Sequence, residues 1–245
     1  MKTLNAFQIK LFMIFIMFLD HLHFIPGLIP PQLNIVIHLA SRCVSVWFAY
    51  IAVDALRYTR NRWKYNWRIL GWAIFMAIGN MILGSIFAAR HIYISNNIFL
   101  TLALGVFCLN ILDYFKTRTS LPKLVPYLLV GLLTFLGMYL TEGGMVVIPF
   151  MLITSAWCDK PKTRNILYWL FAAVLLLMSY APYDTLSRTI EMLLYNCDWF
   201  FISVLPFIAL YSGERGPNTP FTKYFFYIFY PAHIWLLATL GFLLS

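Results

Sequence analysis

A chain of 245 residues has 62% hydrophobic and only 11% charged side chains, with a mean hydropathy of +0.77. Soluble domains hold about 25% charged residues and a charge in the bilayer core costs roughly 3 kcal/mol, so the composition excludes a water-soluble globule and predicts an all-α bundle in lipid. The formal charge of +9 invites a nucleic-acid partner, but the placement of the cations argues against one.

A spanning helix needs roughly 20 apolar residues. Apolar runs punctuated by Pro, Gly and charge predict about nine spans, taken here in chain order. The first, Phe7–Phe24, follows Lys2, contains Lys10 and ends in Asp-His-Leu-His. It has no small-residue cleavage site and is expected to be retained as a helix rather than removed as a signal. Pro26, Pro30 and Pro31 then make a stiff, uncharged turn. The second run, Asn34–Leu56, leads into the basic and aromatic connection Arg57–Arg68, read as an anchor with Trp63, Tyr65 and Trp67 at headgroup depth. Ile69–Ala89, Ile98–Tyr114 and Leu124–Leu140 follow, and the turn Thr141-Glu142-Gly143-Gly144 puts Glu142 near the outer surface. Met145–Trp157 and Ile166–Tyr180 are short; Met192–Tyr211 and Tyr224–Leu244 close the chain. All connections are short and no internal repeat is visible, so residues 1–245 are expected to form one integral membrane domain.

Of the 18 Lys and Arg residues, fifteen fall at the N-terminus and in the second, fourth, sixth and eighth connections. Only Arg90 and Arg188 fall in the alternate connections; Lys10, at the start of the first run, counts with the N-terminus, and Arg42 alone lies deep inside a run. This alternation is the positive-inside signature. It predicts a cytosolic N-terminus, a C-terminus outside, and a basic cytosolic face suited to anionic lipid.

Ionisable groups within spans are functional or pair-forming by default. Asp20 lies ten residues beyond Lys10 and His233 ten beyond Lys223, so each sits about 15 Å from the cytosolic edge at 1.5 Å rise per residue. Arg42 enters from the other side, about 12 Å deep, with His38 one turn above it and His23 nearer the outside. These residues share one layer, although depth matching by itself does not establish contact. A histidine held by Asp20 is a candidate general base, and Arg42 is a candidate holder of an anionic group or oxyanion. The competing reading is an Asp20–Arg42 ion pair that glues helices, with the histidines as interhelical hydrogen-bonders. Asp54 could pair locally with Arg57, and Asn80 and Asn97 could bond between helices. Ser41 and Ser45 read as small packing residues. Cys43, Cys108, Cys158 and Cys197 show no metal or redox spacing. No GxSxG elbow, Walker loop or HExxH helix is present.

Leu19-Asp20-His21 resembles the Asp-His signature of TraX-type membrane proteins. So do Arg42 through Asp54, Tyr58-Thr59-Arg60-Asn61 with Lys64-Tyr65-Asn66-Trp67-Arg68, Asn97 through Gly105, and the closing Phe229-Tyr230-Pro231-Ala232-His233. The chain departs from the family pattern at Cys43-Val44-Ser45-Val46, where a Phe-Pro pair usually follows the Arg, and at Asp54-Ala55, where Glu-Gly is usual. TraX proteins are implicated in N-terminal acetylation of pilin and are distantly similar to membrane acyltransferases of type 3. The resemblance therefore implies a bacterial cytoplasmic-membrane acyltransferase using acetyl-CoA or another acyl-CoA from the cytosol, with no metal and no nucleic-acid partner. The acceptor would be an extracytoplasmic amine or hydroxyl: a pilin or peptide N-terminus, a lipoprotein or a glycan. Under this reading His21 (or His23 or His233) is the base, Asp20 its orienting partner and Arg42 the electrostatic stabiliser. His23, His38, Asp54, Asn97, Glu142 and Tyr230 are expected to contact substrate. A transporter or flippase with these groups as a proton relay, and a non-catalytic envelope scaffold, are the alternatives.

Overall fold

The computed structural model describes residues 3–90, 92–118, 122 and 124–244; Lys2 and Lys123, both counted in the topology argument, lie outside them. Among the described residues ten α-helices follow one another: α1 (Ala6–His21), α2 (Pro31–Tyr58), α3 (Arg62–Phe87), α4 (Ile98–Arg118), α5 (Leu124–Leu140), α6 (Gly144–Ala156), α7 (Pro161–Ser179), α8 (Leu186–Tyr195), α9 (Leu205–Leu210) and α10 (Pro220–Leu244). Short 3₁₀ segments extend α1 over Leu22–Phe24 and α3 over Ala88–Arg90, and an eight-residue one, Cys197–Val204, separates α8 from α9. Among the described residues no strand forms, and Leu4 and Tyr211 make an isolated bridge. The all-α expectation holds.

Among the described residues five helical stretches are long and apolar enough to cross a membrane: Ala6–Phe24, Pro31–Tyr58, Arg62–Arg90, Ile98–Lys116 and Pro220–Leu244. A sixth arises if Leu186–Tyr195 and Cys197–Leu210 count together, but they are bent by 54°. The eighth expected span, Met192–Tyr211, is thus not one continuous helix. Helices α5 and α6 are apolar but have 17 and 13 residues. Large apolar side chains cover the exterior, among them Phe15, Phe75, Met81, Leu128 and Leu177, each half or more exposed. Water would penalise such a surface, whereas lipid does not.

The chain divides into two compact units. The first comprises residues 1–47, 80–94 and 165–245. In it α1 starts with a capping box in which Asn5 and Gln8 satisfy each other's backbone N–H groups. Helix α10 lies against the 3₁₀ turn after α1 so closely that a Cβ on Gly241 would come 2.1 Å from the Phe24 carbonyl oxygen. Arg90 anchors the end of α10 by donating to the Phe242 carbonyl at 2.7 Å, and Phe87 stacks on the Phe242 ring. Asn80 accepts a hydrogen bond from the Trp235 indole at 2.8 Å, the interhelical role expected of it.

The second unit comprises residues 48–79 and 95–164. Helices α4, α5 and α6 pack around Cys108, Ile111 and Val130. Small residues permit this approach: a Cβ on Gly105 would meet the Met151 sulfur, and one on Gly137 the Ile148 side chain. The connection between α2 and α3 is less free to bind anions than its composition suggests. Arg57 pairs with Asp159 at 2.8 Å, and Arg62 with Asp113 at 3.4 Å and the Asn110 side chain at 3.1 Å. Trp63 and Trp67 remain exposed, as interfacial anchors require.

Candidate functional site

Within the first unit, α1, α2, α10 and the 3₁₀ segment Cys197–Val204 bring seven polar residues into two adjoining groups. The first group is a pair of histidines. His21 ends α1 and His233 sits on α10 two residues after Pro231; both are buried, with 7% and 4% exposure. Nδ1 of His21 and Nε2 of His233 are 3.2 Å apart, and the rings meet edge to face with centroids 5.0 Å apart. Each Nδ1 also lies 2.8 Å from the carbonyl oxygen four residues earlier, Met17 for His21 and Phe229 for His233.

These contacts assign the tautomers of the neutral rings. A carbonyl oxygen only accepts, so both Nδ1 atoms carry hydrogen and both Nε2 atoms carry lone pairs. His21 Nδ1–H is therefore shared between the Met17 carbonyl and His233 Nε2. Such an arrangement passes charge in one direction. A proton arriving at His21 Nε2 strengthens the Nδ1–H donor, and His233 accepts the charge through its own Nε2. Phe229 stacks on His233 at 4.8 Å, and the buried Tyr230 ring lies 5.9 Å from it.

The second group surrounds Arg42. Its Nη2 lies 3.7 Å from Asp20 Oδ2 and 3.3 Å from His38 Nδ1, and its Nη1 lies 3.4 Å from Asp198 Oδ1. Nε donates to the His38 carbonyl at 3.2 Å, and Nη2 to the Ser41 hydroxyl at 3.3 Å. All of these are longer than the 2.7–2.9 Å usual for charge-assisted N–H···O bonds, so the guanidinium sits in a loose cage. Asp20 Oδ1 is also 3.5 Å from His38 Nδ1. A carboxylate only accepts and a guanidinium only donates, so His38 Nδ1 serves one at a time, as N–H toward Asp20 or as lone pair toward Arg42.

The structure thus redistributes the expected roles. Asp20, expected to orient His21, pairs with His38 and Arg42, while the Met17 carbonyl and His233 orient His21. His23 is exposed, and its Nδ1 donates to the backbone carbonyl of Asp20; its ring stacks on Phe24. Ser41, expected only to pack, donates to the His38 carbonyl at 2.8 Å and receives Arg42. Asp198 was not among the expected residues. It lies within the apolar run Met192–Tyr211, where the cost argument applied to Asp20 would have singled it out.

Asp54, Asn97 and Glu142 belong to the second unit. There Arg57, the expected partner of Asp54, is bound to Asp159. Asn97 bonds to the Ala73 carbonyl at 3.0 Å, bearing out its interhelical reading. Glu142 accepts from the Asn97 backbone N–H and from the Asn96 side chain, placing its negative charge at the start of α4. A carboxylate there satisfies an orphan donor and complements the helix dipole. Glu142→Ala is expected to cost about 1–2 kcal/mol, read as a lower unfolding midpoint in detergent. Chemistry carried by the first unit should persist at temperatures where the variant is folded.

The model of the TraX protein family matches residues 6–241, a stretch that takes in both groups. The chain belongs to the TraX family. A relative from Dichelobacter nodosus, described as "Probable fimbrial assembly protein FimC, serogroup H1", is 26% identical over 243 residues, covering 96% of this chain and 95% of its own. No solved structure matches. The matched stretch takes in the Asp20-His21 and Tyr230-Pro231-Ala232-His233 segments, which lie more than two hundred residues apart in the chain and touch through His21 and His233.

Proposed function

We propose that this TraX protein is a membrane-embedded acyltransferase that moves an acyl group, acetyl in the simplest case, from a cytosolic acyl-CoA to an amine or hydroxyl outside the membrane. The observation that carries the reading is the buried His21–His233 pair, whose tautomers leave a basic nitrogen on His21 and a charge acceptor behind it. In the proposed step His21 Nε2 takes the proton of the acceptor as its nitrogen or oxygen attacks the thioester carbonyl carbon. Arg42 offsets the charge that develops on the carbonyl oxygen. The C–S bond then breaks, and the departing CoA thiolate takes the proton from His21, so acyl-CoA and acceptor become acylated acceptor and CoA. His38, Asp20 and Tyr230 line the approach, with Asp198 as a further member.

The topology that accompanies this reading has about nine crossings in the bacterial cytoplasmic membrane, N-terminus in the cytosol and C-terminus outside. It is supported by the alternation of Lys and Arg, with α5 and α6 crossing as short helices. Donor and acceptor then lie on opposite faces, which is why the chemistry would sit inside the membrane. The D. nodosus relative's printed role in fimbrial assembly suits a pilin-like acceptor.

That same printed role also favours a second reading, an assembly scaffold in which the polar groups join helices. Mass spectrometry of envelope proteins and glycans, with and without this protein, separates the two. An acyl mass lost on deletion and restored by the wild-type gene supports the transferase. Unchanged acyl masses together with lost surface fibres support the scaffold and overturn the transferase.

A further inference from the structure

Helix α8 carries a polarity pattern that neither lipid nor water accommodates alone. Leu186 and Ile190 share one side, with 76% and 47% exposure, and Leu193 and Leu194 continue that side half-buried. Ser187, Arg188 and Glu191 lie on another side and are exposed, with Arg188 Nη1 3.6 Å from a Glu191 carboxylate oxygen. Local bonds hold the helix in this rotation. The Thr185 hydroxyl caps its start by accepting from the Arg188 N–H at 3.2 Å. The buried Thr189 hydroxyl donates to the Thr185 carbonyl at 3.1 Å and accepts from the Tyr183 N–H at 3.0 Å. At the far end the Trp199 indole donates to the Leu193 carbonyl at 3.4 Å. Thr189 is thus the residue turned inward, and Leu186 and Ile190 are left uncovered.

The depth of α8 follows from the segment after it. Cys197–Leu210 runs antiparallel beside α1, and three contacts set the register. At one end Leu4 bridges Tyr211, and its N–H donates to the Leu210 carbonyl at 3.1 Å. Midway, the rings of Phe12 and Phe207 have centroids 5.5 Å apart. At the other end Arg42 joins Asp20 and Asp198, at 3.7 and 3.4 Å. The segment has eight 3₁₀ and six α-helical residues. At about 2.0 and 1.5 Å rise these cover about 25 Å, most of a hydrocarbon core of about 30 Å. Helix α8 precedes this segment and is bent from it by 54°, so it lies at the membrane edge opposite the chain start.

At that edge its two sides have different needs. A charged side chain in the hydrocarbon core is costly, and an exposed ion pair contributes too little to offset that cost, so Arg188 and Glu191 require water. Leu186 and Ile190 require acyl chains. Exposed Tyr180, Tyr183 and Tyr195 flank or end the helix, and tyrosine is enriched at headgroup depth. We propose that α8 is a lipid-binding helix in the headgroup boundary of the leaflet opposite the chain start, with Leu186 and Ile190 among acyl chains and Arg188 and Glu191 in water. The eighth crossing is then made by Cys197–Leu210 alone, and α8 leads from the leaflet surface to Asp198. This assignment does not depend on the transferase reading.

The test is site-directed spin labelling of the full chain in phosphatidylcholine vesicles. Cys43, Cys108 and Cys197 are buried and Cys158 is half-buried, so Cys158→Ser supplies the background. Single variants Leu186→Cys, Ser187→Cys, Ile190→Cys and Glu191→Cys each carry a nitroxide, whose collisions with oxygen, concentrated in lipid, and with a water-soluble nickel chelate are measured. Labels at 186 and 190 should favour oxygen, and those at 187 and 191 nickel, so that the ratio reverses between the two sides. Nickel access at all four positions would place α8 in water, and nickel exclusion at all four would place it within the bilayer. Low collision with both reagents at 186 and 190 would mean that protein covers them. Each of these three results would overturn the proposal. The readout is position alone, so it stands or falls separately from any change in acyl masses.

Discussion

His21→Ala is expected to lower acyl transfer by about 10²–10⁴-fold, the range that a positioned general base supplies, while the protein still inserts in the membrane. His233→Ala should also lower it, by about 10²-fold, because His21 keeps its lone pair but loses the ring that receives charge from Nδ1. The double variant should be no worse than His21→Ala alone. Two groups that act as one unit are not additive, and His233 has no task once His21 is gone. The measurement is acylated product by mass spectrometry, normalised to protein recovered from the membrane. Full transfer by both single variants would remove the histidine pair from the chemistry. Losses that multiply in the double variant would show two independent contributions in place of a relay.

Gly241→Ala carries the second large effect, and it acts through the backbone. A Cβ at this position would stand 2.1 Å from the Phe24 carbonyl oxygen and 3.1 Å from its carbon. Neither is the end of a flexible side chain, so α10 or the turn after α1 must move. Overpacking of this kind costs about 1–3 kcal/mol and occasionally more, and here the upper part of the range is expected. The displaced elements are the two that carry His233 and His21, held 3.2 Å apart. A shift of about 1 Å in a catalytic constellation can cost about 10²-fold in rate. The variant should therefore melt lower in detergent and lose activity even at temperatures where it is folded. Unchanged stability and activity would mean that the close approach of α10 to the turn is dispensable.

Much of the architecture was legible in the residues. Apolar runs of membrane-spanning length mark α1 to α4 and α10, because lipid demands that each backbone group be satisfied within its own helix. The cost of burying charge singled out Asp20, Arg42, His38 and His233, which lie in these two groups, and also His23, which is exposed; His21 was marked by the family resemblance. Helix rise alone matched the depth of His233 to that of the end of α1. That agreement follows from geometry along the axis, which every α-helix shares.

What helix rise cannot supply is rotation about the axis and the identity of the neighbouring helix. Those depend on how side chains interdigitate across elements distant in sequence, such as Gly241 against Phe24. So the functional reading gave Asp20 to His21, the residue next to it in the chain, whereas α2 turns His38 toward it together with Arg42, the partner that the ion-pair reading named. The continuous helix expected over Met192–Tyr211 is broken, and the break carries Asp198 to Arg42, a match that no local pattern encodes. Glu142, read from its turn as a surface acid, became a cap only when α4 began beside it. By itself the sequence determined that this chain lives in a membrane, which of its polar residues are too costly to be incidental, and that His233 lies level with the end of α1. The tertiary structure decided which of them touch, because a buried charge must find a partner but any of several will serve, and packing makes the choice.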